Sequence, residues 1–257
     1  MNPWELLTAE LDAWADNNQI ATLWWRDDDA VAVGPKLDRL ISTTENTGLL
    51  LAVIPANVEA ELTSAVGDAS HVKVAQHGYA HINHAKGVSS GGGAWELGLH
   101  RGEQILLNEL EHGRPCLEEL CGDDFIPVIV PPWNRIDPRL FAALAARGFC
   151  GVSCFNPREK RILSDGFIIV NCHSDPIRWK AGGTFQGEGK TINQVVNHLQ
   201  ARRTGEVDAS EPTGFLTHHI DLDEAGWAFS QQLAQHISQH PAAAWCEDVA
   251  ALFGAHA

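Results

Sequence analysis

Short apolar segments alternate with longer amphipathic segments along most of the chain. The apolar segments are rich in Leu, Val and Ile and end at Gly, Pro or polar residues, which is typical of buried strands. The predicted strands are 20–25, 49–54, 72–76, 125–130, 151–155, 167–171 and 215–217, and the predicted helices are 3–16, 35–47, 58–66, 96–112, 138–147, 191–202, 223–239 and 241–253. This alternation predicts an α/β fold with parallel strands covered by helices, either as an open sheet or closed into a barrel.

No linker or repeat interrupts the pattern, so residues 1–257 are predicted to form a single domain. The segment 89–93 is Ser-Ser-Gly-Gly-Gly, and such a sequence is too flexible to contribute to a core. We interpret it as a loop, which is either a plain surface connection or a lid over an active site.

Polar clusters follow five of the predicted strands, at 27–29, 77–84, 131–135, 173–175 and 218–219. In α/β barrels the carboxyl ends of the strands hold the active site. The repeated position of these clusters therefore predicts that they meet in one site.

Two of the clusters are suited to metal chemistry. His77 and His81 are four residues apart, and imidazoles at this spacing on one helical turn could ligate the same ion. Asp27, Asp28 and Asp29 follow a buried strand, where their mutual repulsion would raise their pKa values unless a cation is bound. One carboxylate could bind the metal while a neighbour acts as a base; the alternative is a solvated turn.

The remaining clusters carry aromatic rings and titratable groups. The two prolines before Trp133 would fix a rigid turn, with the indole either exposed to a sugar ring or packed in the core. The loop that contains Asp175 and Trp179 could shape a pocket or orient a histidine, and His218 or His219 would place an acid at the same rim. The candidate substrate-binding residues are Pro132, Trp133, Asn134, Arg135, Asp175 and Trp179.

Composition restricts the partners. The chain has 18 basic and 33 acidic residues, a formal charge of -15, which argues against nucleic acids and anionic membranes as partners. A small-molecule or oligosaccharide substrate is expected, and a homo-oligomer is compatible with the sequence. The N-terminus lacks the pattern of a signal peptide, no apolar run approaches the roughly 20 residues of a membrane span, and the six cysteines include no C-x-x-C pair. We therefore expect a cytoplasmic protein with reduced cysteines.

Taken in order, the clusters resemble the motifs of the NodB-homology polysaccharide deacetylases, a family of carbohydrate esterases. The family motif T-F-D-D-G aligns with residues 25–29, and H-[ST]-x-x-H aligns with 77–81, where Gly78 replaces the hydroxyl residue. The motif R-P-P-[YW]-G aligns with 130–134, and L-x-H aligns with 216–218. The four motifs occur in the family's order between about residues 20 and 220.

This resemblance implies a distorted (β/α) barrel, a divalent metal that is usually zinc, and hydrolysis of an N-acetyl amide. Carried over residue by residue, it makes Asp28, His77 and His81 the metal ligands. It also makes Asp27 the general base and His218 the general acid.

The sequence departs from the family at three positions. Val130 occupies the position of the arginine that orients the base, and either Arg26 or Arg135 could replace it. Asp29 occupies the position of a glycine, so a shift of one residue would make Asp28 the base and Asp29 the ligand. His219 is an alternative to His218 as the acid. Two other functions also fit the sequence: a non-catalytic carbohydrate-binding barrel, and a metal hydrolase of a small non-sugar amide.

Overall fold

The computed structural model describes residues 2–86, 93–163 and 166–255. Most of the glycine-rich segment interpreted as a loop or a lid lies outside these ranges. In the part of the chain that is described, ten strands occur: β1 Ala21–Ala30, β2 Leu49–Val53, β3 Val72–His77, β4 Phe125–Val130, β5 Gly151–Val152, β6 Ile168–Ile169, β7 Ile177–Arg178, β8 Thr184–Phe185, β9 Thr213–Thr217 and β10 Ala243–Trp245.

Eight of these strands form one parallel sheet, in the order β10-β1-β2-β3-β4-β5-β6 with β9 also paired to β1. The sheet curls until the segment after β6 meets β9. There the N–H of His173 donates to the carbonyl of Gly214 and the N–H of Leu216 donates to the carbonyl of Ser174, both at 2.8 Å. The predicted distorted (β/α) barrel is confirmed. Strands β7 and β8 form a separate antiparallel hairpin beside it.

The helices surround the sheet. Within the described ranges they are α1 Pro3–Asp16, α2 Pro35–Thr43, α3 Leu62–Gly67, α4 Glu103–Cys121, α5 Phe141–Ala145, α6 Glu188–Thr204, α7 Glu224–Gln239 and α8 Val249–Leu252. The first of them begins at a capping box, since Asn2 and Glu5 each accept the other's backbone N–H at 2.9 Å. No helix of the described chain is long and apolar enough to cross a membrane.

Two predicted helices differ most from the structure. The helix predicted at 96–112 begins at Glu103 and continues through Pro115 to Cys121. The helix predicted at 241–253 is replaced by β10 and the short α8, because Ala243 and its neighbours pair with the start of β1. An available sheet edge outweighs the intrinsic preference of this alanine-rich segment for helix.

The core is divided by the sheet into an inner and an outer part. Trp24 belongs to the cluster enclosed by the strands, together with Leu50, Ala52 and Val128. Trp25, the next residue, packs with the cluster under the surrounding helices. Neighbouring residues of β1 therefore face opposite sides of the sheet, as in any strand. All six cysteines are unpaired.

Candidate active site

The alternation along β1 separates the three aspartates. Arg26 and Asp28 share the inner face with Trp24, whereas Asp27 shares the outer face with Trp25. Asp28 is buried and lines the large cavity at the carboxyl end of the barrel, and Asp27 is buried outside that cavity. Asp29, at the end of the strand, has a left-handed backbone with φ of +71°.

Arg26 and Asp28 form a buried, two-pronged ion pair. The guanidinium Nε and Nη2 donate to the two carboxylate oxygens at 2.9 and 3.0 Å, and both side chains are almost completely buried. Further donors contact Ser153 at the end of β5 and Asn134. Burial opposes the charge of Arg26, but the Asp28 carboxylate outweighs this and raises the arginine pKa. Asp28 is thus fixed in place with a permanent counter-charge.

Asp29, His77 and His81 converge at the same end of the barrel. The Asp29 Oδ1 atom lies 2.9 Å from His77 Nε2 and 3.1 Å from His81 Nε2. The three donor atoms all lie within 4.8 Å of one another, as required of ligands to one ion. Burial opposes ionisation of Asp29, but its close contacts with the two imidazoles lower its pKa. Asp28, predicted as the third ligand, is instead paired with Arg26, and Asp29, the ligand of the alignment shifted by one residue, is the carboxylate grouped with the two histidines.

The tautomer of His77 supports a cation at this point. Its Nδ1 lies 2.9 Å from the carbonyl oxygen of Val130, which can only accept, so Nδ1 carries a proton. In the neutral ring the lone pair is then on Nε2 and faces Asp29 Oδ1, which has no well-aligned hydrogen bond of its own. Two lone pairs at 2.9 Å require a proton or a metal ion between them. The three residues therefore fit a divalent metal, and this is the usual ligation of histidine by Nε2 with Nδ1 held by a carbonyl.

The two histidines come together through a turn, not a helix. His77 ends β3, and Gly78 and His81 both have a left-handed φ of +56°. The imidazole centroids are 5.2 Å apart. The two imidazoles face the same point, as predicted, but the helical turn that was assumed to bring them together is absent from residues 77–81.

His218 enters the cavity from the strand beside β1, since Thr217 on β9 is in register with Asp27. It follows β9, lines the cavity and contacts the Trp179 ring edge-on at a centroid distance of 4.6 Å. Its Nδ1 is buried and has no hydrogen-bonding partner in the described protein. Asp175 lines the same wall and accepts from Trp179 Nε1 at 2.9 Å; burial raises the pKa of this carboxyl, and a positive charge on His218 would counteract that.

His219 points away from the cavity and binds Asp27. The Asp27 carboxylate accepts the backbone N–H of His219 at 2.9 Å, and its other oxygen lies 2.5 Å from the His219 Nδ1. The Thr217 hydroxyl donates at 2.5 Å to the same Asp27 oxygen that accepts the backbone N–H. Asp27, predicted as the general base, does not line the cavity, and both of its carboxylate oxygens are hydrogen-bonded to Thr217 or His219. It instead fixes the segment that carries His218.

The cavity that contains these groups has a volume of about 730 Å³. Five residues other than glycine that line it have a left-handed backbone: Asp29, His81, Trp133, Asn134 and Asn156. Such conformations are costly outside glycine and concentrate at functional sites. Part of the cavity wall therefore has a backbone conformation that is unfavourable for most residues other than glycine.

Most of the residues predicted to bind substrate line this cavity. Trp133, Asn134, Arg135, Asp175 and Trp179 do so, whereas Pro132 is buried beneath them. Trp133 is 36% exposed and Trp179 is 48% exposed, so both indoles are accessible. The sequence analysis missed four further lining residues, Phe155, Asn156, Ile177 and Gln194. Asn156 alone had a sequence signal, an Asn-Pro step directly after a predicted strand.

A second group of histidines and a glutamate, His173, His198 and Glu211, is buried under α6. His173 Nδ1 accepts the backbone N–H of Gly214 at 2.9 Å, so in the neutral ring its Nε2 carries the proton and has no lone pair for a metal. The two imidazoles are also stacked at 3.3 Å, 11° from parallel, so an ion could not lie in the plane of both rings. This group therefore serves packing and hydrogen bonding.

Comparison with known proteins agrees with this fold. No protein-family model and no curated protein matches the sequence. Among solved structures, a protein from Mycobacterium smegmatis described as a polysaccharide deacetylase superimposes with a TM-score of 0.60 at 15% identity, over 89% of this chain and 87% of that one. A CE4 esterase from Streptococcus mutans gives 0.54 at 12% identity, over 90% and 87%. The peptidoglycan deacetylase PdaC from Bacillus subtilis gives 0.52 at 14%, over 88% and 87%.

At these identities the similarity concerns the fold. The chain has the barrel of the CE4 polysaccharide deacetylases, and the resemblance that the four motifs indicated is confirmed at this level.

Proposed function

We propose that this protein is a divalent-metal-dependent deacetylase that hydrolyses the amide of an N-acetylated sugar or a related small molecule. The observation that supports this best is the convergence of Asp29, His77 and His81 in the same cavity as an arginine-paired carboxylate, Asp28. Metal ligands, a base and an acid would then occupy the separate positions that amide hydrolysis requires.

Asp29, His77 and His81 would hold the metal, with zinc the first candidate because two imidazoles and one carboxylate suit it. When bound, such an ion polarises a carbonyl and lowers the pKa of a nearby water molecule towards roughly 7. The three side chains would leave at least one coordination position open to the cavity.

Asp28 would act as the general base. Arg26 supplies a compensating positive charge and fixes the orientation of the carboxylate through the two parallel hydrogen bonds. The Asp28 carboxylate would take the proton of the attacking water. Arg26 would thus substitute for the arginine that is replaced by Val130, and the best argument for a non-catalytic barrel loses its support.

His218 would act as the general acid. An amine is too basic to leave without a proton, and the His218 imidazole, which lines the same cavity, could deliver one. Asp175 would stabilise the charged imidazole through its negative charge, and Asp27 would hold the backbone at His219 so that His218 faces the cavity.

The substrate is proposed from the walls of the cavity. Trp133 and Trp179 offer exposed indole faces of the kind on which sugar rings stack, while Asn134, Asn156 and Gln194 offer amide groups for hydroxyls. The names of the structural neighbours point in the same direction: CE4 esterase, polysaccharide deacetylase and peptidoglycan deacetylase.

Two variants test the assignment of the aspartates. Zinc content and acetate release are measured on a panel of N-acetylated mono- and oligosaccharides and on non-sugar acetamides. We expect Asp29→Asn to lose both zinc and activity, and Asp28→Asn to lose activity while retaining zinc. Asp27→Asn serves as the control that keeps zinc. Retention of zinc by Asp29→Asn together with its loss in Asp28→Asn would refute the assignment. If the wild type released acetate only from the non-sugar acetamides, the proposed sugar substrate would be refuted in favour of a non-sugar amide.

A further inference from the structure

The carboxylate of Glu96 is buried against the turn that carries the second histidine. Glu96 is fully buried, and its side chain accepts three backbone N–H groups of this turn. Oε1 accepts from Ala80 at 2.8 Å and from Ile82 at 3.4 Å, and Oε2 accepts from Tyr79 at 3.2 Å. All three N–H groups belong to residues between His77 and the residue after His81.

The same carboxylate explains the glycine at position 78. A Cβ atom on Gly78 would lie closer than 2.5 Å to Glu96 Oε2 and 2.6 Å from Pro132 Cδ. Its φ of +56° also favours glycine. The family motif H-[ST]-x-x-H has a Ser or Thr at this position. In this chain the position has no side chain, and the space is occupied by the Glu96 carboxylate.

The backbone on either side of Glu96 is itself anchored. Leu97 forms a parallel bridge with Ile136, and its carbonyl accepts the N–H of Asp137 at 3.3 Å. Arg101 donates to the carbonyl of Glu96 at 3.4 Å. Glu96 therefore connects the turn after β3 to the segment after β4, whose Trp133 ring packs on His81 at a centroid distance of 4.4 Å.

We propose that Glu96 is a positioning residue for His81, acting through the backbone of the turn, and that it replaces the hydroxyl side chain of the aligned motif. The inference rests on the proposed function, since it concerns the same metal ligands. A carboxylate offers lone pairs to several N–H groups at once, and hydrogen bonds to a charged acceptor are the strong ones. Without it the turn would present three unpaired N–H groups at the side of His81, and the left-handed conformation of that residue would lose its support.

The test is the zinc affinity of Glu96→Gln, measured by competition with a chromophoric chelator. Glutamine keeps one acceptor oxygen and places an NH2 group against the remaining N–H donors. The matched control is Glu211→Gln, because Glu211 is also fully buried and accepts two backbone N–H groups, from Arg158 and Asn171 at 2.9 Å. Both variants are also unfolded with urea in the metal-free state, which measures the general cost of the substitution.

We expect Glu96→Gln to bind zinc roughly 10- to 100-fold more weakly than the wild type, as when an outer partner of a ligand is lost. Glu211→Gln is expected to lose stability but to keep wild-type zinc affinity. Glu96→Asp, which keeps the charge but shortens the side chain by one methylene group, should lie between the wild type and Glu96→Gln, and it decides the question if Glu96→Gln does not fold.

The outcomes separate this inference from the proposed function. Wild-type zinc affinity in both Glu96 variants, with binding that still depends on Asp29, overturns the role of Glu96 alone. An equal loss of affinity in Glu211→Gln also overturns it, because the effect would then be a general consequence of destabilisation. A wild-type protein that binds no zinc overturns both proposals.

Discussion

The ion pair between Arg26 and Asp28 gives the sharpest prediction for stability. Replacement of Arg26 by methionine fills much of the volume but leaves Asp28 buried, at 1% exposure, without a counter-charge. Unit charges about 4 Å apart at an effective dielectric constant of about 20 attract by about 4 kcal/mol. Removal of one partner from a buried pair costs about 3–5 kcal/mol, so the two values agree.

The measurement is urea unfolding at neutral pH with a chelator present, so that metal binding does not contribute. Arg26→Met should lower the free energy of unfolding by about 4 kcal/mol. Arg26→Met/Asp28→Asn should recover part of this loss, since no charge remains unpaired. The two single variants and the double variant complete a cycle whose expected coupling energy is about 3 kcal/mol.

The pH dependence supplies a second criterion. Burial of a carboxyl group without a compensating cation favours its neutral form. A carboxyl whose pKa is raised on folding binds its proton more tightly in the native state, so stability increases as pH falls through the raised pKa. The difference in free energy of unfolding between the wild type and Arg26→Met should therefore become smaller on acidification. The corresponding difference for the double variant should not change. Single and double variants of equal stability at neutral pH, with deficits that stay parallel across pH, would refute the reasoning.

Three other predictions concern the rest of the molecule. Zinc at about 100 times its dissociation constant should stabilise the wild type by about 2.7 kcal/mol and leave the unfolding of Asp29→Asn unchanged; equal stabilisation of both proteins would contradict the ligand assignment. Burial, with nearby arginines contributing, lowers the pKa of His173 to about 3 and that of His198 to about 2, so each takes up a proton on unfolding between these values and its ordinary pKa. The free energy of unfolding should thus fall on acidification below about pH 6, by about 1.4 kcal/mol per pH unit for each histidine. In urea titrations at several pH values, His198→Gln should lose less stability per pH unit than the wild type. An equal loss in both proteins would contradict this prediction. Gly113→Ala should destabilise by about 1–3 kcal/mol because its Cβ would meet Gln76 and Pro55 side-chain atoms at 2.8 Å, while Gly67→Ala, with open space around its Cβ, should be neutral or stabilising in the same thermal-unfolding assay.

Much of the barrel could be predicted because its strands are locally distinct. The segments 49–53, 72–77 and 125–130 are apolar, are bounded by breakers and were recognised within one residue. Where prediction failed, the deciding contacts are distant in sequence. The start of β1 pairs with β10, more than two hundred residues away, and this pairing determines the conformation of Ala243 and its neighbours.

The aspartates show what a motif alignment leaves out. The alignment selected Asp27 and Asp28, while the alternation from Trp24 to Asp28 decides which side chains enter the barrel. That alternation was visible in the sequence, but two adjacent tryptophans gave no sign of which of them faces the interior. The sequence offered Arg26 and Arg135 as alternatives without deciding between them, and the contacts of Glu96 had no sequence signal, because both sets of contacts form only where the fold brings another strand end or turn near.

The seam between the segment after β6 and β9 is held by few backbone hydrogen bonds, and the ring of His173 supplies one more by accepting the N–H of Gly214. The amide hydrogens of Gly214 and Leu216 are therefore expected to exchange with solvent sooner than those between β1 and β2. Since Asp175 and His218 follow the two sides of this seam, its opening would separate the proposed proton donor from the proposed metal ligands, which lie on other strands.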